Sequence, residues 1–387
     1  MKGLRLAAAV LSLLALTACS ERQPQLHGEK AIPERLADWS VVYREGERLV
    51  WPDAVAVYDL NSALFTDYAH KLRTLYLPPG ASIEQGEEGL LQFPRGTIIS
   101  KTFYYPRGAQ PGEVRKLAFN EADLAGGIDL NEFQLLETRL LVHYESGWKA
   151  ISYVWDEDQR EARRKITGAV LPLTLVDQQG GRQDFHYVVP DANQCLGCHA
   201  TAFETRQALP IGPAKADFVN RDSPTHGNNQ LADWQARGWL AAEPEDFARA
   251  ANWDDESQPL AARARAYLEI NCAHCHSPSG AGDTSGLWLG QEVATGPHLG
   301  ICKPPIAAGQ GTGGRYWSIV PGKPDESILT YRMGSRDPGA MMPELGRSLV
   351  HEEGLQVVSE WIDQLPGQCG GKGSEKESIG ALSRAVR

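Results

Sequence analysis

The sequence predicts an α+β multidomain protein: an N-terminal antiparallel, β-rich and sandwich-like domain followed by a mainly α-helical region. Three observations predict it. Between Trp39 and Pro190, short runs rich in Val, Ile, Tyr, Phe and Thr are broken by Gly and Pro, the pattern of strands joined by turns. Beyond Pro190, apolar residues recur at helical spacing instead. The 39 glycines and 24 prolines exclude an all-helical bundle, and 387 residues at 42% hydrophobic content are ample for a buried core.

In chain order, Lys2 and Arg5 precede an apolar run over 6–16. A bilayer span needs about 20 apolar residues; this run has the length of a secretory signal core. Leu16-Thr17-Ala18-Cys19 then resembles the lipobox of bacterial lipoproteins. That resemblance implies cleavage before Cys19, a lipid on its sulfur and, with the non-acidic Ser20 next, periplasmic-side anchoring on the outer membrane. Residues 1–18 are thus read as a signal peptide and 19–38 as a polar tether. In the β-rich domain (39–190), strands are expected over 97–105, 169–176 and 185–189, with a hairpin of 139–144 and 148–154 about Glu145-Ser146-Gly147. Residues 187–194 read as a strand end and turn. Helices are expected over 228–237, 259–271 and 351–365. Leu260, Ala264, Tyr267 and Leu268 form the stripe of the second; Pro366-Gly367 stops the third. Residues 370–387 are Gly, Ser and charge and read as a disordered tail.

The net charge of −11 argues against nucleic acid as a partner, which needs clustered Lys and Arg. The chemistry lies in the seven cysteines. Cys195-Leu-Gly-Cys198-His199 and Cys272-Ala-His-Cys275-His276 are two copies of C-x-x-C-H, the attachment motif of c-type haem. Two thiols at this spacing add to the two vinyl groups of one porphyrin, and the adjacent His supplies the proximal nitrogen to iron. Two covalent haem c groups are expected, over 191–254 and 255–369. Zinc held by four thiolates is the first rival, but the gap between the pairs exceeds that of a zinc ribbon. A thioredoxin-type redox pair is the second, but no βαβ pattern surrounds either motif. With Cys19 lipidated and four thiols on haem, Cys302 and Cys369 remain as a disulfide pair, the alternative being two buried thiols.

A low-spin haem needs a ligand on the far side of iron, usually Met or His. Met333, Met341 and Met342 all follow the second motif. Neighbouring Met341 and Met342 point opposite ways in an extended loop, and Pro343 stiffens the backbone beside Met342, so Met342 is the expected sixth ligand of the second haem. The order helix, C-x-x-C-H, loop, Met-Pro, closing helix is the layout of a small cytochrome c, with Tyr267 and Trp361 expected where its first and last helices cross. For the first haem, His226 is the expected ligand among His186, His226, His70 and His143. Gly309-Gln-Gly-Thr-Gly-Gly314 matches a dinucleotide-binding pattern but lacks the strand before and helix after that this pattern requires.

With both motifs in place, the chain resembles a family of bacterial dihaem c-type cytochromes. The resemblance rests on residues 58–68, the two haem motifs, 319–322, 327–329, 331–333 and Met341-Met-Pro-Glu-Leu-Gly346. It implies haem binding and electron transfer, with a β-helix repeat protein or a periplasmic dehydrogenase as redox partner. The leading expectation is a lipid-anchored electron carrier between such a partner and the respiratory chain. A haem peroxidase or oxidase with an open first haem is the enzymatic alternative, and a ligand-binding β-domain with haems as redox sensor is the third.

Overall fold

The computed structural model describes residues 22–86, 90–200, 207–306 and 309–370. The signal segment, Cys19 and the tail beyond Gly370 lie outside them. Among the described residues are fourteen strands: β1 (Tyr43–Glu45), β2 (Arg48–Val50), β3 (Ala56–Tyr58), β4 (His70–Tyr76), β5 (Glu84–Gln85), β6 (Leu91–Gln92), β7 (Ile98–Pro106), β8 (Glu113–Arg115), β9 (Ile128–Asp129), β10 (Phe133–Tyr144), β11 (Gly147–Trp155), β12 (Ala162–Arg164), β13 (Ala169–Val176) and β14 (Arg182–Val189). Six α-helices follow: α1 (Ala192–His199), α2 (Ala216–Val219), α3 (Gln230–Ala236), α4 (Leu260–Leu268), α5 (Ile328–Gly334) and α6 (Glu352–Asp363). No helix among the described residues is long and apolar enough to cross a membrane.

A six-stranded antiparallel sheet, ordered β12-β11-β10-β7-β4-β3, is the spine of the molecule. Side chains alternate between its faces. One face, with Leu72, Ile98, Tyr104, Leu140, Val142 and Tyr153, buries Leu36, Trp39, Val42 and Leu49 of the N-terminal segment. The other face is shared. At one end, Phe103, Tyr105 and Leu136 meet Leu173, Leu175, Phe185 and Tyr187 of the small sheet β14-β13-β8. At the other end, Leu75, Ile99 and Leu141 meet Phe218, Leu231, Trp234 and Ile270 of the C-terminal half.

The β-rich and mostly antiparallel first half agrees with the expectation, although β8 and β13 pair in parallel and its second layer is not a free-standing sandwich sheet. Three strands cover only part of the six-stranded face, and the C-terminal half buries the rest. That half is also less helical than its periodicity implied. Its helices are short and joined by irregular chain, because Gly and Pro are dense between His276 and Val350. Gly309–Thr312 is a short 3₁₀ turn, in keeping with the rejection of the dinucleotide motif.

Residues 61–69 stitch the halves together. Asp67 accepts the backbone N–H groups of Ser348 and Leu349 at 2.7 Å each. Tyr68 Oη donates to Glu353 at 2.9 Å, and the Phe65 N–H donates to Asn271 Oδ1 at 2.8 Å. His351 stacks on Phe65 (ring centroids 4.2 Å apart) and sets Nδ1 3.1 Å from Tyr267 Oη. Burial holds the His351 pKa well below the ordinary 6.5. The folded protein therefore keeps this ring neutral where the unfolded chain binds a proton, so its contribution is complete above pH 6.5 and is lost as pH falls. Between pH 7 and 5 the stability of His351→Gln is expected to fall about 2 kcal/mol less than that of the native chain. Urea melts at the two pH values check this; parallel losses in both proteins would refute it.

Candidate functional site

The first motif lies on a helix, correcting the expected turn. Asp191 caps α1: its side chain accepts the Gln194 N–H, and the Gln194 side chain accepts the Asp191 N–H. This D-x-x-Q box was the signal in the sequence that marked the helix start. Cys195, Cys198 and His199 thus project from one short rigid element. His199 Nδ1 sits 2.7 Å from the Leu209 carbonyl oxygen, so the Nδ1–H donates there and Nε2 is left as the ligating nitrogen.

The second motif follows α4 directly. Hydrogen bonding widens over Glu269–Ala273 into a π-helical turn, a local device common at functional sites. Glu269, buried there, pairs with Lys215 and accepts the Gln291 N–H at 2.7 Å. His276 Nδ1 lies 3.3 Å from Ser285 Oγ, whose own proton goes to the Gly282 carbonyl at 2.6 Å. The hydroxyl therefore accepts from Nδ1–H and again leaves Nε2 for a ligand.

The fold brings the two motifs into contact. Cys198, His274 and Cys275 place their donor atoms within 4.8 Å of one another, and Cys275 Sγ lies 3.3 Å from the Gly197 carbonyl oxygen. Cys195, Cys198, Cys272 and Cys275 are all free thiols. Burial pushes the Cys272 thiol up to about 12, whereas hydrogen bonds from Cys275 and His274 hold Cys198 down. Burial also lowers His199 and His276 to about 4, so both imidazoles are neutral, the ligating form, at pH 7.

Cys195, Cys198, His199, Cys272 and His274 line one cavity, walled on its far side by β4, β7 and β10. Met333 and Met342 line it too, while Met341 faces a separate groove beside His186. His276 turns into a neighbouring cavity, with His274 on the wall between the two. His226 is not brought to the cavity; it is exposed on the turn that Ser223 and Asn228 close. The turn hydrogen-bonds onto its own backbone before α3 begins, which directs it to the surface.

Sequence reasoning missed Arg347. This buried guanidinium donates to the carbonyls of Met342 (2.8 Å), Ser335 (3.0 Å), Arg332 (3.1 Å) and Leu349 (3.0 Å), pinning the methionine loop. Nothing in the local pattern marks it. Cys302 and Cys369 form a disulfide.

Two pairs of free thiols, two neutral imidazoles oriented through Nδ1 and the thioether of Met342 on a cavity wall are a donor set that suits c-type haem. The Cys198–His274–Cys275 trio alone is one that a soft divalent metal also takes. No protein-family model, curated protein or solved structure matches the chain.

Proposed function

We propose that the chain is a dihaem c-type cytochrome that passes electrons between a periplasmic redox partner and the respiratory chain, anchored by a lipid on Cys19. The observation that carries this reading is the contact of two C-x-x-C-H segments, 78 residues apart at Gly197 and Cys275, with all four thiols free and the proximal histidines facing two adjoining cavities. When bound, each haem supplies a one-electron iron couple. The residues do the rest. Cys195 and Cys198 hold the first group, Cys272 and Cys275 the second, and His199 and His276 offer Nε2 to iron. Met342 is the proposed sixth ligand of the second haem: it lines the same cavity as Cys272, and its carbonyl is held by Arg347. Burial, with the nearby cations Lys101 and Arg332, keeps the imidazoles unprotonated. The C-terminal region is read as cytochrome c-like because α4 leads into the motif and Tyr267 packs against α6, the closing helix.

The test is expression of the full chain alongside haem-attachment machinery, with haem counted by alkaline pyridine spectra and mass. Two covalent haems per chain are expected, and one after Cys272→Ala with Cys275→Ala. A chain that takes zinc and no covalent haem would refute the reading. The second reading, a haem peroxidase or oxidase, draws support from the surface position of His226, which leaves the first motif without its expected partner. Carbon monoxide binding by half of the reduced haem would favour it; an unchanged spectrum would favour the carrier.

A further inference from the structure

Three cations stand side by side on the sheet wall of the cavity. Strand register sets Arg73 on β4 opposite Lys101 on β7, and Lys101 opposite Arg139 on β10; all three line the cavity. Like charges directly opposite one another destabilise a sheet, and charge away from bulk water is costly unless paired. The available acids answer two of the three. Asp59 pairs with Arg73 and is shared with Arg221 at 3.6 Å. Glu137, fully buried, pairs with Arg139 and also accepts the Tyr187 hydroxyl at 2.8 Å. Among the described residues no carboxylate pairs with Lys101, whose Nζ sits 5.4 Å from the Phe103 ring centroid. Burial and the two neighbouring guanidinium groups draw the Lys101 pKa down to about 7. The wall is therefore short of negative charge.

We propose that the Arg73–Lys101–Arg139 row takes the propionate carboxylates of the haem held at Cys195 and Cys198. This rests on the dihaem reading above. The row faces the cavity that holds Cys195, Cys198 and His199, and Ile99 and Leu141 beside it offer apolar surface to the same space. Guanidinium forks and an ammonium are the groups that bind carboxylates most strongly. The β-rich half then builds the haem chamber itself.

The experiment is redox potentiometry of the full, haem-loaded chain and of Lys101→Met, Lys101→Gln and Lys101→Arg. Loss of a cation from the wall of the haem chamber favours the oxidised form. Both neutral variants are expected to keep two haems while one midpoint potential falls by a roughly tenfold change in the one-electron equilibrium, about 59 mV; Lys101→Arg stays near the native value. Both neutral variants carrying two haems at native potentials would overturn the inference and leave the dihaem reading standing. A native chain without covalent haem would overturn both. A measurement on the native chain guards against variants that fail to fold. With propionates labelled with ¹³C, infrared spectra are expected to show half or more of the labelled carboxylates ionised down to pH 5, and protonation of most of them by pH 6 would count against the row. Calorimetric binding of malonate to the loaded chain would assign the row to a free dicarboxylate instead and likewise overturn the inference.

Discussion

Cys302→Ser, or Cys369→Ser, is expected to lower the stability of the folded chain by about 4 kcal/mol. The two cysteines are 67 residues apart. Closing so long a loop removes many conformations from the unfolded chain, and the chain-entropy relation gives this magnitude. The bridge also has a fixed seat. The Cys302 N–H donates to the Ile319 carbonyl at 2.9 Å, and Cys369 Sγ approaches the same oxygen at 3.9 Å. It therefore ties the chain leaving α6 to the loop in front of α5. Urea melts of native and variant proteins without reductant measure the loss. A difference below about 1 kcal/mol would mean that the unfolded chain keeps those ends together without the bond.

Gly354→Val is the second large effect. A Cβ at this position of α6 would lie 2.2 Å from Tyr267 Cε2 and 2.6 Å from its Oη. Tyr267 on α4 has little room to yield: it is 5% exposed and its hydroxyl meets His351. Helix propensity alone would make Gly354→Ala stabilising by about 0.8–1.0 kcal/mol. Overpacking costs about 1–3 kcal/mol, so the clash decides the sign. Alanine is expected to destabilise by about 1–2 kcal/mol and valine by more than about 3 kcal/mol. Because this crossing positions the segment that becomes Cys272–His276, valine should, on the proposed dihaem reading, also lower the haem content of the second motif. A more stable alanine variant would show that the helices part without cost.

Much of the secondary structure was legible. The hairpin closes on Glu145-Ser146, with Tyr144 opposite Gly147, and Ala169–Val176 has the bounds that alternation implied. These are local matters of turn chemistry and period. The helix under the first motif was legible in principle through Asp191 and Gln194, but the strand ending at Val189 masked it. The exposed place of His226 was not legible, since nothing near it states which surface its turn will join.

What the sequence by itself determined is the donor chemistry: two C-x-x-C-H segments, a Met-Pro loop after the second, and a cysteine pair left over for the disulfide. Short-range spacing carries that information because which donors can reach a single group is a matter of local geometry. Only the tertiary structure decided that the motifs touch at Cys198 and Cys275, that Arg347 holds the methionine loop, and that Arg73, Lys101 and Arg139 fall in one row on the wall of the cavity that Cys195 and Cys198 also line. Each cation sits in a different strand and looks like an ordinary outward polar residue. Antiparallel register between strands distant in sequence sets them side by side, and burial by the C-terminal half turns an outward face into the wall of a cavity.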